Sequence, residues 1–230
     1  MSVQIFPTAE SLATAVADHV ESYIAAIDRP LTIGLAGGGT PAATYAELTR
    51  RDIDWSGVTL WLGDERWVPH DHEDSNTRMA HQTLVDHVMA RLIAPETAFG
   101  EPADAAHAYG HVLEALFHEG RPDLVLLGIG DDGHTASLFP DTEALEADSV
   151  DYLANWVEQK EVWRLTASMP MLWSARELVF LVQGASKAGI LAQILDGGQP
   201  YPAQRVAAGA TNVRWMVDEA AAAKLRSAPR

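Results

Sequence analysis

The chain has 230 residues, with 16 Lys and Arg against 32 Asp and Glu, a formal net charge of −16, no cysteine and 47% apolar residues. That length can bury a substantial core, while the missing cysteines exclude disulfides, thiolate metal sites and a cysteine nucleophile, and the acidity argues against a nucleic-acid surface, which needs clustered basic residues. Nothing in the sequence approaches the roughly 18 consecutive apolar residues of a membrane span, and the first residues, Met1 to Pro7, show no charged stretch leading into an apolar run, so a soluble cytoplasmic protein is expected.

Residues 9–27 place Leu12, Val16, Val20, Tyr23, Ile24 and Ile27 at helical spacing. Leu31 to Ala36 is a short apolar strand ended by Gly37-Gly38-Gly39, after which Thr40 reads as an N-cap and Pro41 as the first residue of a helix running to about Arg51. Val58–Leu62 is a second buried strand, followed by a polar loop from Gly63 to Ser75 and a predicted helix from Asn76 to Leu92. A further helix covers residues 103–119, and Asp123–Ile129 is a strand leading into Gly130–Gly133. Residues 152–159 and 161–168 read as an antiparallel pair of extended segments. Glu177–Gln183 is another strand, followed by a helix from Ser186 to Leu195, a strand at Val213–Val217 and an Ala-rich helix over 218–226. Continuous apolar strands alternating with helices predict one doubly wound α/β domain over residues 1–230, with a mostly parallel sheet covered on both faces.

Ligands of such sheets bind outside the carboxyl ends of the strands, which directs attention to the loops there. Gly37-Gly38-Gly39-Thr40 joins a strand to a helix; its glycines let backbone N–H groups approach an anion, and the helix N-terminus adds partial positive charge. A tight turn would need fewer glycines, and the Gly-Lys-Ser/Thr ending of a nucleotide P-loop is missing. Gly128-Ile129-Gly130-Asp131-Asp132-Gly133 fits the dinucleotide pattern G-x-G-x-x-G, but its aspartates lie where a pyrophosphate would sit. His134 beside Asp132 at the mouth of the sheet is placed as a general base; an isolated loop histidine would more often be structural. Gly63-Asp64-Glu65-Arg66 puts acids and a cation at the same edge. Gly184-Ala185-Ser186-Lys187-Ala188-Gly189 nearly matches a nucleophile elbow, yet no histidine follows His134, so a Ser186 triad in hydrolase order is impossible. Lys187 instead suits a point charge on a phosphate, and Arg164 is a second candidate cation. His70 with His72, and His107 with His111, lack an obvious third ligand, so no metal site is expected.

Taken in order, Ala36–Pro41, Gly63–Arg66 with Val68-Pro69 and Ser75-Asn76, Leu127–Pro140, Arg164–Thr166 with Pro170, and Val179–Val182 with Gly184 and Lys187-Ala188 resemble the 6-phosphogluconolactonase family over nearly the whole chain. Gly37 and Gly39 depart from that pattern where hydroxyl residues usually stand. The related sugar-phosphate isomerases and glucosamine-6-phosphate deaminases typically carry a glutamate five positions after the histidine, where this chain has Phe139, and an aromatic residue at Arg66. The resemblance implies hydrolysis of 6-phosphoglucono-δ-lactone to 6-phosphogluconate, a step of the pentose phosphate pathway, without metal or organic cofactor. It implies His134 as the base, oriented by Asp132 or Asp64, with Arg66 stabilising the oxyanion. Gly38, Gly39, Thr40, Lys187 and Arg164 would hold the phosphate. A monomer or small homo-oligomer acting on a small sugar phosphate, with no nucleic-acid or membrane partner, is expected. The acidity leaves a question: how does so negative a chain hold an anion?

Overall fold

Aliphatic runs build the centre of a parallel sheet. The computed structural model describes residues 1–97, 100–197 and 200–226. Its larger sheet comprises β1 (Ser2–Phe6), β2 (Leu31–Leu35), β3 (Val58–Leu62), β5 (Arg91–Ile93), β6 (Leu124–Leu127), β9 (Glu177–Val182) and β10 (Val213–Asp218), arranged β1-β10-β9-β6-β2-β3-β5 with every neighbouring pair parallel. The smaller, antiparallel sheet runs β4 (Asp64–Arg66), β8 (Val162–Ala167), β7 (Tyr152–Val157). The helices are α1 (Ala9–Ala25), α2 (Gly39–Leu48), α3 (Asn76–Thr83), α4 (Pro102–Leu116), α5 (Met169–Ser174), α6 (Ala188–Asp196), α7 (Pro202–Gly209) and α8 (Glu219–Ala222).

Alternation along the strands divides the core between the two faces. Leu124 and Leu126 of β6, with Val179 and Leu181 of β9, pack with Leu12, Val16 and Val20 of α1 and Tyr45 and Leu48 of α2. Val125 and Leu127, with Leu178, Phe180 and Val182, pack on the opposite face against Tyr109 and Leu113 of α4, Leu191 of α6 and Val206 of α7. Burial on both faces is why these strands read as unbroken apolar runs rather than alternating ones.

The structure departs from the predicted elements in four respects. The helix predicted over 76–92 stops at Thr83, and residues 91–93 form edge strand β5; Val85, in a short 3-10 turn, and Val88 and Leu92, on extended backbone, pack against the core on the α1 face. The predicted polar loop after β3 opens with β4, which pairs with β8. Strand β1 and helices α5 and α7 were not predicted. Gly38, not Thr40, is the N-cap of α2, so Thr40 and Pro41 lie within its first turn.

The amino-terminal edge of the sheet carries a network of paired charges. Asp123 is fully buried and meets Arg29 at 2.5 Å and Arg176 at 3.3 Å, while the Thr32 N–H donates to it at 2.9 Å. Glu177 meets Arg214 at 3.1 Å and His19 at 3.2 Å. Burial raises the Glu177 carboxyl, but His19 and Arg214 together hold it below the usual range.

At the other edge, β2 and β6 are neighbours from which the chain leaves in opposite directions, toward β3 and β5 on one side and β9 and β10 on the other. This reversal opens a crevice at their carboxyl ends.

Candidate active site

Buried tyrosines pin the loops lining the crevice. The Tyr45 hydroxyl accepts from the Ala36 N–H at 2.9 Å and donates to the Ala36 carbonyl at 3.0 Å, fixing the start of the glycine loop from within α2. Tyr109 accepts from the Leu62 N–H at 3.0 Å and donates to the Ile93 carbonyl at 2.9 Å, tying together the ends of β3 and β5. Where β4 meets α3, Glu65 is fully buried and accepts from the backbone N–H groups of Asn76 and Thr77, each at 2.7 Å, and from the Thr77 hydroxyl at 2.7 Å. A carboxylate at a helix N-terminus satisfies donors that the helix leaves unpaired. Glu65 is therefore structural, and it holds Asp64 and Arg66 on either side in fixed directions.

The loop after β6 folds so that His134 and Asp132 meet. His134 Nδ1 lies 2.5 Å from an Asp132 carboxylate oxygen, and the His134 N–H donates to the same oxygen at 3.1 Å. An ionised carboxylate only accepts, so Nδ1 carries the proton and the Nε2 lone pair is left for chemistry. Burial raises the Asp132 carboxyl, but the hydrogen bonds and charge of His134 outweigh it and leave it at about 2. Gly130 permits this approach: a Cβ there would stand 2.0 Å from His134 Nδ1. Phe139 stacks on the imidazole with ring centroids 4.0 Å apart.

Asp64, the other acid weighed as a partner for His134, is engaged elsewhere. It accepts from the Ser137 hydroxyl at 2.6 Å and from the Asn76 amide at 3.3 Å. Asp132, rather than Asp64, holds the imidazole.

His134, Asp64, Arg66 and Arg164 line one cavity of about 130 Å³, together with Gly37, Ser137, Phe139 and Lys160. Strand pairing sets Arg66 directly opposite Arg164. Arg66 donates to the Asp74 carbonyl, whereas Nε and Nη1 of Arg164 are buried without a hydrogen-bond partner. Burial, followed by the like charge of Arg66, holds the Arg164 guanidinium below its ordinary value, with Asp64 opposing. Buried donors left unpaired are costly in a folded protein, and Arg164 lines the cavity beside a second arginine, an arrangement suited to an anion.

A second cavity of about 170 Å³ adjoins the first, sharing Gly37, Gly128 and Ile129, and is lined by Gly38, Gly39, Thr40 and Lys187. Pro41 has no N–H, so the free backbone donors at the start of α2 belong to Gly39 and Thr40. Lys187 reaches this cavity while paired with the exposed Asp131 at 2.6 Å. Gly37, one of the departures noted in the sequence, lies against Asn76: a Cβ would fall 2.0 Å from its side-chain oxygen. The space of a side chain there is taken by Asn76, which bridges to β4 through the Asp64 carbonyl at 2.9 Å.

The candidate residues thus fall into two adjoining groups, a reactive cavity around His134 and a cradle around Gly38–Thr40. Lys160, Ser137 and Asn76 were missed as site residues. Ser137 and Asn76 stand in the quoted motifs, but Lys160 sits in a polar turn that carries no signal of its own. His70 Nε2 contacts the Pro95 carbonyl at 2.8 Å, and His107 and His111 face each other at 3.0 Å. Among the described residues no group of three or more His, Asp or Glu side chains has metal-holding geometry, and no described helix is long and apolar enough to cross a membrane.

The family model for glucosamine-6-phosphate isomerases/6-phosphogluconolactonase matches residues 7–215. A 6-phosphogluconolactonase from Synechocystis sp. is 39% identical over 206 residues, covering 85% of each chain. One from Mycobacterium tuberculosis is 34% identical over 245 aligned positions, covering 98% of this chain and 99% of its own. The solved structure of a 6-phosphogluconolactonase from Trypanosoma brucei superposes with a TM-score of 0.85 at 31% identity, covering 97% of this chain and 98% of that one. With its doubly wound sheet, its crevice between β2 and β6 and these matches along most of its length, the chain belongs to the family of glucosamine-6-phosphate isomerases and 6-phosphogluconolactonases.

Proposed function

We propose that the protein hydrolyses 6-phosphoglucono-1,5-lactone to 6-phosphogluconate, with His134 as general base. The observation that carries this reading is the Asp132–His134 pair facing a cavity that also holds Arg66 and the unpartnered Arg164. The lactonase relatives support the same substrate. Phe139, at the position where the resemblance places a glutamate in isomerases, speaks against sugar-ring opening.

In the proposed reaction the phosphate lies against the N–H groups of Gly39 and Thr40 with Lys187, and Arg164 completes its surroundings from the reactive side. Water attacks the lactone carbonyl carbon as His134 Nε2 takes its proton, while Asp132 holds Nδ1–H and favours the imidazolium that forms. Arg66 stabilises the oxyanion of the tetrahedral intermediate. Collapse expels the ring oxygen, which takes the proton back as a hydroxyl. The new carboxylic acid ionises, so each turnover releases one proton. A lactone is an activated ester, so water delivered by one base suffices without a covalent nucleophile.

The same reading treats residues 1–230 as one cytoplasmic domain, monomeric or a small homo-oligomer, working without metal or organic cofactor. Proton release from fresh 6-phosphogluconolactone, with spontaneous hydrolysis subtracted, tests it. Acceleration abolished by His134→Ala is expected. No acceleration, combined with tight sugar-phosphate binding, would make the protein a sensor instead.

A further inference from the structure

We propose that Lys160, at the tip of the β7–β8 hairpin, recognises the carboxylate end of the ligand in the reactive cavity and so separates hydrolysed product from intact lactone; this rests on the lactonase reading above.

Local sequence holds this lysine at the cavity mouth. Trp156 stands opposite Trp163 in the β7–β8 register with ring centroids 5.5 Å apart, bracing the hairpin just below its turn. The Trp156 indole N–H donates to Glu158 at 2.7 Å, which gives that acid a partner of its own. Glu161 takes left-handed backbone, φ 50°, and its N–H donates to the Glu158 carbonyl at 3.2 Å, closing the turn. Lys160 then lines the cavity of His134, Arg66 and Arg164 but does not line the glycine cradle.

Its ammonium is also uncommitted. The Lys160 Nζ lies 5.2 Å from the centre of the Phe139 ring, the ring stacked on His134, and among the described residues no carboxylate stands within ion-pair distance of it. An aromatic face near solvent holds a cation only weakly, so the charge passes readily to a better partner. With the phosphate in the cradle, the far end of the sugar acid occupies the His134 cavity. In the substrate that end is an uncharged ester; after water is added it is a carboxylate. A free cation at that point favours the charged form.

Calorimetric titration with two ligands tests this: 6-phosphogluconate, which carries the carboxylate, and glucitol 6-phosphate, which has a terminal hydroxyl instead. Lys160→Met is expected to weaken 6-phosphogluconate binding about fivefold to tenfold, the loss of one charge-assisted contact near solvent, while glucitol 6-phosphate stays within about twofold, the change expected when a neutral group loses no ion pair. Lys160→Arg should restore most of the carboxylate preference, which also shows that the hairpin folds. Equal weakening of both ligands, or no weakening of either, would overturn the assignment of Lys160 alone. Wild-type protein that binds neither ligand would overturn the lactonase reading, and this proposal with it.

Discussion

The two edges of the seven-stranded sheet treat charge in opposite ways. At the amino-terminal edge the buried acids are matched: Asp123 has Arg29, Arg176 and Thr32, and Glu177 has Arg214 and His19. At the carboxyl-terminal edge the half-buried Arg164 stands beside another arginine with two buried donors unmet, and Lys160 lies near an aromatic ring. The first arrangement pairs its charges within the protein, although Nε of Arg176 and Nε2 of His19 make no hydrogen bond, whereas the second leaves Arg164 with no carboxylate in ion-pair range among the described residues, as the proposed anionic ligand would require. This resolves the paradox of a chain carrying −16 that binds an anion. Net charge governs long-range association, but binding depends on a few donors that the fold refuses to satisfy.

The most damaging change to the reactive edge should be His134→Ala, expected to lower kcat about 10²–10⁴-fold, the usual contribution of a general base, with product affinity nearly retained. Steady-state proton release together with product titration checks it; turnover within about tenfold of wild type is too small a loss for a principal base and would reassign the role.

The amino-terminal edge should fail in stability instead. Asp123→Ala leaves Arg29 and Arg176 without their buried acid and is expected to cost about 3–5 kcal/mol, a fall in Tm of roughly 10 °C for a chain of this size. Activity per folded molecule should persist. If thermal denaturation shows little change, that network is not the structural element its geometry indicates.

Arg164→Leu gives the sharpest contrast, because the same kind of deletion should act with the opposite sign. Removing a half-buried cation with two unmet donors is expected to stabilise the empty protein by about 1 kcal/mol while raising KM at least tenfold, the loss of a charged hydrogen bond to the ligand. A fall in both Tm and affinity would show that Arg164 supports the fold and would erase the distinction between the edges.

A smaller effect is expected from Asp131→Asn. Freeing Lys187 from its exposed partner should lower KM about twofold to threefold, in keeping with the modest strength of surface ion pairs; a raised KM would mean that Asp131 positions the lysine.

The pH dependence follows from Asp132. Its carboxyl is lowered to about 2 in the folded protein, so the stability it contributes is fully present above the ordinary carboxylate pKa and is lost as pH falls from there through about 2. Any acid limb in the activity profile at higher pH therefore belongs to another group. Asp132→Asn should lower activity without moving that limb onto a carboxylate value, and a pH–rate profile of the variant tests it.

Much of this molecule was legible because burial on both faces writes strands as uninterrupted aliphatic runs, as in β2, β3, β6 and β9. Edge strands lack that signature. In β1 Ser2 and Gln4 are exposed and no residue is fully buried, and β5 begins at the exposed Arg91. Strand β4, composed of Asp64, Glu65 and Arg66, has no local reason to be extended; its pairing with β8 and the satisfaction of Glu65 by α3 impose it. The same distinction holds in the site. His134 and Asp132 are close in sequence and share a glycine-rich loop, so Asp132 can be named there as a partner, but only the tertiary structure decides between it and Asp64. The opposition of Arg66 and Arg164 arises from pairing between strands about a hundred residues apart, and the approach of Lys160 to Phe139 from the way the β7–β8 hairpin packs; no local pattern announces either.

Strand order also has a consequence for how the protein comes into being. β10 lies between β9 and β1, so the first strand synthesised gains its neighbour only when residues 213–218 have been made. Until then β1 has no hydrogen-bonded place in the sheet, and Phe180 waits for Trp215, against which its ring stacks at 4.0 Å in the finished core. On the ribosome, the half of the sheet that includes β9 stays open to its last strand while β2, β3 and β5 can already assemble. A nascent chain should thus resist proteolysis first across its middle and acquire protection at its beginning last, in step with β10.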